Sequence, residues 1–368
     1  MTQSALIVEL QTLLDPGKVL LDADSLNTYG KDWTKHFAPA PLAIAFPKTI
    51  EQVQAIVRWA NAHKVALVPS GGRTGLSAGA VAANGEVVVS FDYMNQILAF
   101  NEFDRTAVCQ AGVVTKQLQN FAEEQGLYYP VDFASSGSSQ IGGNIGTNAG
   151  GIKVIRYGMT RNWVAGMKVV TGAGDILELN KDLIKSATGY DMRQLFIGAE
   201  GTLGFVVEAT MRLERAPKNL TAMVLGTPDF DSIMPVLHAF QNKLDLTAFE
   251  FFSDKALAKI LARGDVPAPF ESECPFYALL EFEASTEEVA NEALATFEYC
   301  VEQGWVVDGV MSQSQQQLEN LWKLREYISE TISHWTPYKN DISVTVGKVP
   351  ALLHDSDAIV EANYSDFE

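Results

Sequence analysis

The spacing of hydrophobic positions predicts short strands separated by helices. Four leucines at helical spacing indicate an amphipathic N-terminal helix: Leu6, Leu10, Leu13 and Leu14. The apolar run LAIAF (42–46) predicts a strand, and Thr49 followed by Gln52 is a capping-box signature that begins a helix. That helix buries Val53, Ile56, Val57 and Ala60. With the apolar run at 65–68 this forms a β-α-β unit, and ligands commonly bind where the second strand of such a unit ends.

Further short strands follow at VVVSF (87–91), ILAF (97–100) and TAVCQAG (106–112), and a helix begins at Thr115. The stretch from Gly137 to Gly204 then holds 14 of the 28 glycines in the chain, and it contains few long apolar runs. This composition excludes a helix bundle.

A charged segment with a proline, ERAPKNL near 215–220, predicts a boundary between two domains, 1–216 and 217–368. The second domain alternates strands and helices, and we expect an α+β arrangement with the helices on one face of a sheet. Its predicted elements are the strands TAMVLGT, TAFEFF, FYALLEFEA and WVVDGV, with helices around 230–243, after Ser253, at 287–302 and at 316–334.

Composition excludes several classes of protein. The apolar fraction of 47% and charged fraction of 20% are those of a globular protein. The formal net charge of −18 argues against nucleic acid or an anionic membrane as a partner. The cysteines are isolated, which fits a reducing compartment: Cys109, Cys274 and Cys300. With no basic leader and no membrane-length apolar run, we expect a cytoplasmic protein, which its electron acceptor could bring to the inner membrane.

The first glycine-rich segment, PSGGRTGLSAG (69–79), follows the β-α-β unit directly. Glycines allow successive backbone N–H groups to point at one anion, and such a nest binds a phosphate or pyrophosphate. Its glycines are Gly71, Gly72, Gly75 and Gly79; Ser70, Thr74 and Ser77 add hydroxyls, and Arg73 adds a cation. The alternative interpretation is a flexible loop between two strands.

Known motifs fit this segment poorly. The chain has neither the G-x-G-x-x-G of dinucleotide-binding turns nor the P-loop sequence. Residues 75–79 match the G-x-S-x-G of hydrolases, but a nucleophile at Ser77 would need a helix directly after it, whereas a turn and another strand are predicted there. A serine hydrolase is therefore a distant alternative.

Two more glycine-rich segments follow in the same domain. The second, 135–153, combines six glycines with Asn144, Thr147 and Asn148, and the third, IGAEGTLGFV (197–206), places Glu200 between glycines. Small polar residues suit a flat heteroaromatic ring with sugar hydroxyls. Three such segments in one domain predict one extended cofactor.

These segments resemble those of the FAD-linked oxidases of the p-cresol methylhydroxylase (PCMH) and vanillyl-alcohol oxidase fold. PSGGRTGLS resembles their pyrophosphate loop, PVDFASSGSSQIGGNIGTNAGG their flavin-contacting segment, and IGAEGTLGFV their E-G-T-L-G segment. The whole chain is most similar to the D-2-hydroxy acid dehydrogenases, the branch of D-lactate, glycolate and D-2-hydroxyglutarate enzymes. The resemblance implies an α+β fold: a PCMH-type FAD-binding domain of two α+β subdomains, followed by an α+β, ferredoxin-like cap domain that binds substrate.

The resemblance also implies that FAD is the cofactor. We expect it to be bound noncovalently, because none of the five histidines lies in the three segments: His36, His63, His238, His334 and His354. The residues that the resemblance assigns to FAD are Pro69, Ser70, Gly71, Gly72, Arg73, Thr74, Gly75, Leu76, Ser77, Pro130, Asp132, Ser138, Ser139, Gly142, Gly143, Asn144, Thr147, Asn148, Gly150, Gly151, Glu200, Gly201, Gly204 and Val206.

Arg325 is the candidate substrate residue of the second domain. It lies within the apolar stripe of the predicted helix 316–334, so its guanidinium needs an anion or an exit to water. That anion could be a substrate carboxylate, which the planar guanidinium binds in bidentate fashion, or one of the acids of the chain. The resemblance favours substrate, because R-E-x-I-S and Y-K-N-D-I-S are similar to the cap segment that implies substrate contacts for Arg325, Ser329 and Lys339. Ser329 is one helical turn beyond Arg325, so we expect the two on one face.

One departure from the family limits the mechanism. Complete relatives carry, after the cap, a paired-histidine motif that holds a divalent metal such as zinc and a histidine base; this chain ends at SDFE without it. We therefore expect an incomplete family member with no metal ligands and no identified catalytic base. Two hypotheses follow: a dehydrogenase that oxidises a D-2-hydroxy acid, D-2-hydroxyglutarate before D-lactate or glycolate, or a flavin-binding protein without turnover. A homodimer and the electron acceptor stay open.

Overall fold

The computed structural model describes residues 2–34, 36–179, 183, 185–335, 337 and 342–364. It divides into two compact units, Met1–Ala216 and Pro217–Glu368, called unit 1 and unit 2 below. The division falls in the charged segment with a proline. No helix within the described ranges is long and apolar enough to cross a membrane.

Unit 1 contains three sheets and seven α-helices among its described residues. Its strands are β1 (Val19–Leu20), β2 (Ala43–Ala45), β3 (Leu67–Ser70), β4 (Val87–Ser90), β5 (Ile97–Asn101), β6 (Thr106–Gln110), β7 (Leu127–Tyr128), β8 (Val164–Thr171), β9 (Ile176–Leu179), β10 (Gly204–Arg212) and β11 (Glu214–Arg215). Its helices are α1 (Gln3–Thr12), α2 (Ala23–Tyr29), α3 (Ile50–His63), α4 (Thr115–Glu124), α5 (Ile141–Thr147), α6 (Val154–Tyr157) and α7 (Arg193–Phe196).

The first sheet of unit 1 has the order β1-β2-β4-β3, in which β2, β4 and β3 are parallel and β1 is antiparallel. The predicted β-α-β unit is confirmed as β2-α3-β3, with β4 inserted between its two strands. Helix α3 begins where expected, because the Thr49 hydroxyl accepts the N–H of Gln52 at 3.2 Å. Its predicted apolar face is buried, with Val53 and Ile56 fully inaccessible. The first glycine-rich segment starts in β3 and leaves the sheet at the carboxyl end of that strand.

The second sheet is antiparallel, with the order β5-β6-β10-β8-β9. Helices α4 and α5 contribute Leu118, Ile141 and Ile145 to the core on this sheet. Strands β7 and β11 form a separate pair. The second glycine-rich segment contains helix α5, and the third leads into strand β10.

Unit 2 is built on one antiparallel sheet of order β13-β14-β12-β15. Its strands are β12 (Leu220–Thr227), β13 (Leu246–Ser253), β14 (Phe276–Glu283) and β15 (Asp308–Met311). Its helices are α8 (Ile233–Gln241), α9 (Asp254–Leu261), α10 (Glu287–Glu302), α11 (Gln315–Glu326), α12 (Ile328–Thr331) and α13 (Val349–Asn363). With α8 between the first two strands and α10 between the last two, this strand order is that of a ferredoxin-like fold, as predicted.

Unit 2 differs from the sequence prediction in that helices cover both faces of its sheet. Ala278 and Leu280 of β14 pack with α8 and α10 in one core. On the opposite face, the Glu281 carboxylate accepts a hydrogen bond from the Trp322 indole of α11 at 2.8 Å. The expectation of helices on one face was therefore wrong. The near-continuous apolar run of β14 already carried the signal, since a strand buried on both faces does not alternate.

The predicted helix 316–334 is interrupted. Helix α11 ends at Glu326, Tyr327 separates it from the single turn α12, and a 3₁₀ turn follows over Ile332–His334. Tyr327 itself keeps helical dihedral angles, φ −77° and ψ −6°, and its N–H donates to the Lys323 carbonyl at 3.2 Å. The chain thus follows a helical path between Arg325 and Ser329, and the expectation that the two share one face stays a prediction.

Candidate functional site

The three glycine-rich segments, far apart in sequence, meet in unit 1. The first and second touch so closely that a Cβ on Gly72 would lie 2.1 Å from the Ser138 carbonyl oxygen. The first and third touch at Gly201, where a Cβ would lie 2.5 Å from Cγ of Pro69. The second and third are joined by the Glu200 N–H, which donates to the Gly146 carbonyl at 2.8 Å. The main chains of all three segments thus form one region.

The first segment presents a row of free backbone donors. In the part of the chain that the structure describes, none of the N–H groups of residues 71–77 donates a hydrogen bond to another protein group. Arg73 lies in the left-handed region with φ 59°, which turns neighbouring N–H groups toward a common side. Unpaired backbone donors are costly unless water or a ligand satisfies them. This donor set fits the pyrophosphate of a dinucleotide.

The cation predicted for this segment is already engaged. The Arg73 guanidinium donates to the Gly71 carbonyl at 3.0 Å, lies 3.5 Å from the Asp92 carboxylate and sits 4.5 Å over the Tyr29 ring. Gln140 donates to the same Asp92 carboxylate at 2.8 Å. These contacts hold the loop in shape, so the free positive end for an anion is the main chain.

Sequence reasoning missed Asp92 and Gln140. Asp92 follows the carboxyl end of β4, which lies next to β3 in the parallel sheet, so the rule that placed the first segment at a strand end could have identified it. Gln140 gave no such signal. Its Oε1 and the Ser70 Oγ are buried and lack a hydrogen-bond partner among the described residues. Such atoms are rare in folded proteins, so a bound polar group beside them is consistent with their burial.

Several polar side chains predicted to contact the cofactor have hydrogen-bond partners within the protein. The buried Asn144 donates to the Thr115 hydroxyl at 2.7 Å, and that hydroxyl lies 2.7 Å from the hydroxyl of Ser139. Thr147 donates to the Gly143 carbonyl, and the Asn148 side chain accepts the Arg161 N–H, both at 3.0 Å. The resemblance assigns these residues to FAD, and the structure shows that they also hold the second segment together. Direct contacts from them to FAD stay a prediction.

The remaining predicted positions are places of close main-chain approach. A Cβ on Gly151 would lie 1.7 Å from the Asp132 carbonyl oxygen, and one on Gly142 would lie 2.7 Å from Cβ of Ala111. In the third segment, Glu200 and Gly201 both have positive φ, 50° and 77°. These glycines allow the segments to pack together. Gly150, Gly204 and Val206 lie in the second and third segments, Pro130 lies just before the second, and their contact with FAD is likewise a prediction.

The hydrolase interpretation lacks its structural context. Ser77 is exposed in a loop that runs without a helix to β4 at Val87. The thiols are also poor nucleophiles, because burial raises the pKa of Cys109 to about 12 and that of Cys300 to about 11. Among the residues described, no group of three or more His, Cys, Asp and Glu could hold a metal ion.

In unit 2, Arg325 forms an ion pair with an acid of the chain. Its Nε lies 2.8 Å from Oε2 of Glu250 on β13. Burial raises the pKa of the Glu250 carboxyl above its usual value, and the Arg325 guanidinium partly offsets this effect. Within the described ranges, the two terminal amino groups of Arg325 have no hydrogen-bond partner. Ser329 is exposed on α12, and Lys339 lies outside the described residues.

Comparison with known families matches both units. Residues 41–180 match the family model of an FAD binding domain, and residues 216–367 match that of the C-terminal domain of FAD linked oxidases. Among solved structures, 4-ethylphenol oxidase from Gulosibacter chungangensis has a TM-score of 0.76 at 17% identity, covering 98% of this chain and 78% of that one. p-Cresol methylhydroxylase with substrate bound has a TM-score of 0.73 at 18% identity, covering 90% and 72%. These structures confirm the predicted PCMH-type fold.

Curated proteins found by sequence comparison share a larger fraction of identical residues with this chain than these solved structures do. The D-2-hydroxyglutarate dehydrogenase of Stutzerimonas stutzeri (strain A1501) is 87% identical over 368 residues, which are 100% of this chain and 79% of that protein. That of Xanthomonas citri pv. viticola is 54% identical over 362 residues, 98% of this chain and 76% of that protein. The mitochondrial enzyme of Danio rerio is 36% identical over 344 residues, 92% and 64%. The chain therefore belongs to the D-2-hydroxyglutarate dehydrogenase family of the FAD-linked oxidases.

Proposed function

We propose that this protein binds FAD noncovalently in unit 1 and oxidises D-2-hydroxyglutarate to 2-oxoglutarate. The observation that carries the cofactor assignment is the meeting of three glycine-rich segments around a row of seven free backbone N–H groups. The relatives named D-2-hydroxyglutarate dehydrogenase support the choice of substrate over D-lactate and glycolate.

The residues of unit 1 supply binding and orientation. The amides of residues 71–77 would satisfy the pyrophosphate oxygens through main-chain hydrogen bonds, aided by the partial positive charge of the nest. The close packing at Gly72 and Gly201, with the hydrogen bond from Glu200 to Gly146, fixes the three segments relative to one another. When bound, FAD supplies an acceptor for the hydride that leaves C2 of a 2-hydroxy acid.

Substrate recognition falls to Arg325. Its two terminal amino groups match the spacing of a carboxylate and can bind it in bidentate fashion. Ser329 and Lys339 are proposed as further carboxylate or hydroxyl contacts. The hydroxyl proton must pass to a base as the C2–H leaves, and none of the residues named here is assigned that role. The cytoplasmic location and the homodimer also stay predictions.

The experiment is an anaerobic titration of the purified protein. We expect a flavin absorbance spectrum that D-2-hydroxyglutarate bleaches, D-lactate bleaches more slowly and L-2-hydroxyglutarate leaves unchanged. Folded protein that takes up no FAD would contradict the cofactor assignment. Protein that holds FAD but is bleached by none of the D-2-hydroxy acids would contradict the dehydrogenase assignment and leave a flavin-binding protein without turnover.

A further inference from the structure

Two carboxylates on the sheet of unit 2 hold helix α11. Glu281 on β14 accepts the Trp322 indole N–H at 2.8 Å and also the Thr247 hydroxyl. Glu250 on β13 pairs with Arg325 at 2.8 Å. Trp322 and Arg325 are three residues apart, so both face the sheet from one side of α11. Two fixed points on one helix face set both its rotation and its position along the strands.

Glu250 is placed to act on the guanidinium and not merely to neutralise it. It lies opposite Leu279 in the ladder between β13 and β14, and its side chain is 21% exposed against 34% for that of Arg325. A half-buried carboxylate in the middle of a strand has little freedom to move. The guanidinium nitrogen nearest to its carboxylate, at 2.8 Å, is Nε, which lies on the stem side of the group.

The guanidinium nitrogen that Glu250 occupies determines which nitrogens of Arg325 stay available for a second carboxylate. A guanidinium can bind a carboxylate through Nε and one terminal amino group, or through both terminal amino groups. Glu250 takes the Nε position, which leaves the terminal pair. In the part of unit 2 that is described, that pair has no protein partner.

We infer that Glu250 is a positioning residue: by binding Nε of Arg325, it restricts a substrate carboxylate to the end-on mode through the two terminal amino groups. This inference rests on the proposed function, because it assigns the geometry of substrate recognition at the same arginine. Glu250 itself touches no substrate. Its effect passes through the orientation of the guanidinium.

The test compares Glu250→Leu, which removes the acceptor, with Glu250→Gln, which keeps an acceptor oxygen of the same reach. For Glu250→Leu we expect the KM for D-2-hydroxyglutarate to rise about tenfold while kcat changes less than about threefold, as for loss of binding shared by ground state and transition state. For Glu250→Gln we expect a KM within about threefold of that of the unchanged protein. Flavin content and far-ultraviolet circular dichroism verify that each variant is folded and loaded.

A matched control is Glu292→Gln. Glu292 lies on α10, away from α11, and its carboxylate is 2.9 Å from the Lys243 amino group. We expect this variant to leave KM and kcat unchanged. A double-mutant cycle completes the test: in an Arg325→Leu background, Glu250→Leu should raise KM no further, because its target is gone.

Three results would overturn the inference. The first is a folded Glu250→Leu protein with KM within twofold of the unchanged value. The second is a full effect of Glu250→Leu in the Arg325→Leu background, which would show a general structural role. The third is a lower KM in both Glu250 variants, which would make Glu250 a competing anion. If the unchanged protein is not reduced by D-2-hydroxyglutarate, the proposed function itself fails, and the inference fails with it.

Discussion

The two candidate sites of this chain use different parts of the polypeptide. The cofactor region of unit 1 is made from main-chain N–H groups and glycines, and its polar side chains bond to the protein. The substrate candidate of unit 2 is one side chain, Arg325, held by another, Glu250. A substitution should therefore harm the first site mainly by adding atoms and the second mainly by removing them.

The largest effect is expected from adding one methyl group in unit 1. In Gly72→Ala the new Cβ would lie 2.1 Å from the Ser138 carbonyl oxygen, a backbone atom that cannot rotate away. Separation of the first and second segments should weaken FAD binding by more than about 100-fold, because the loss of two hydrogen bonds to a charged group costs about 3 kcal/mol or more. The measurement is the dissociation constant of FAD from flavin fluorescence.

The control for this substitution lies in the same region. Gly137→Ala adds the same methyl group where nothing lies within 4 Å, and it should leave FAD affinity unchanged. Equal FAD affinity in both alanine variants would break the comparison, because close packing would then not matter for the cofactor.

The next largest effect should come from shortening a side chain in unit 2. Arg325→Leu removes the guanidinium and should raise the KM for D-2-hydroxyglutarate by about 30-fold, the range for loss of charge-assisted hydrogen bonds. FAD affinity should not change, because every residue proposed to hold FAD lies in unit 1. Arg325→Lys keeps the charge but loses the planar donor pair, so it should recover only part of the loss. A KM unaffected by Arg325→Leu would remove the substrate role from this residue.

A smaller effect is expected at Thr115, and on stability more than on affinity. Thr115→Val leaves the buried Asn144 amide and the Ser139 hydroxyl without their shared partner, which should lower the free energy of unfolding by about 1.5 kcal/mol. Urea denaturation with an unchanged m-value would measure this loss. Gln117→Ala on the same helix, where the side chain makes one exposed bond to the Asn95 carbonyl, is the control with little expected change. A stable Thr115→Val protein that loses FAD would indicate that Asn144 or Ser139 contacts the cofactor.

The smallest effect concerns a surface ion pair of unit 2. Asp231, 3.0 Å from His354 on α13, raises the pKa of that imidazole above its usual 6.5. A raised pKa in the folded state stabilises the protein below pH 6.5, and this stabilisation is lost as the pH rises through the folded-state value. Proton NMR of the His354 ring should give a midpoint above 6.5 that returns toward 6.5 in Asp231→Asn. Neither FAD affinity nor KM should respond; a change in either would contradict the assignment of both sites.

The sequence predicted the fold to the extent that local signals were strong. The cap at Thr49, the helical spacing of Val53 and Ile56, and the succession of strands and helices along unit 2 all appear in the structure as expected. The break at Tyr327 did not follow from the sequence, because neither glycine nor proline marks it. Hydrophobic periodicity continues across a break of one residue.

The candidate site was predictable where it depends on glycine and less so where it depends on pairing. Gly72, Gly151 and Gly201 stood out because close main-chain approach requires glycine. The partners Asp92, Gln140 and Glu250 did not stand out. The sequence pattern of a single acid or amide is the same whether its side chain faces water or an arginine. For Arg325 the sequence allowed a substrate carboxylate or an internal acid. The structure shows the internal acid beside Nε, and the second anion at the terminal amino groups is our proposal.

The free amides of residues 71–77 also bear on how such proteins diverge. Every residue except proline has the same backbone N–H, so recognition through it places no demand on the side chains of Thr74, Leu76 or Ser77. Mutations at these positions can accumulate while the path of the main chain is kept. The backbone shape of such a loop can therefore be kept while its amino-acid sequence changes. This agrees with a fold that is recognisable at TM-scores of 0.73 and 0.76 when fewer than one residue in five is identical.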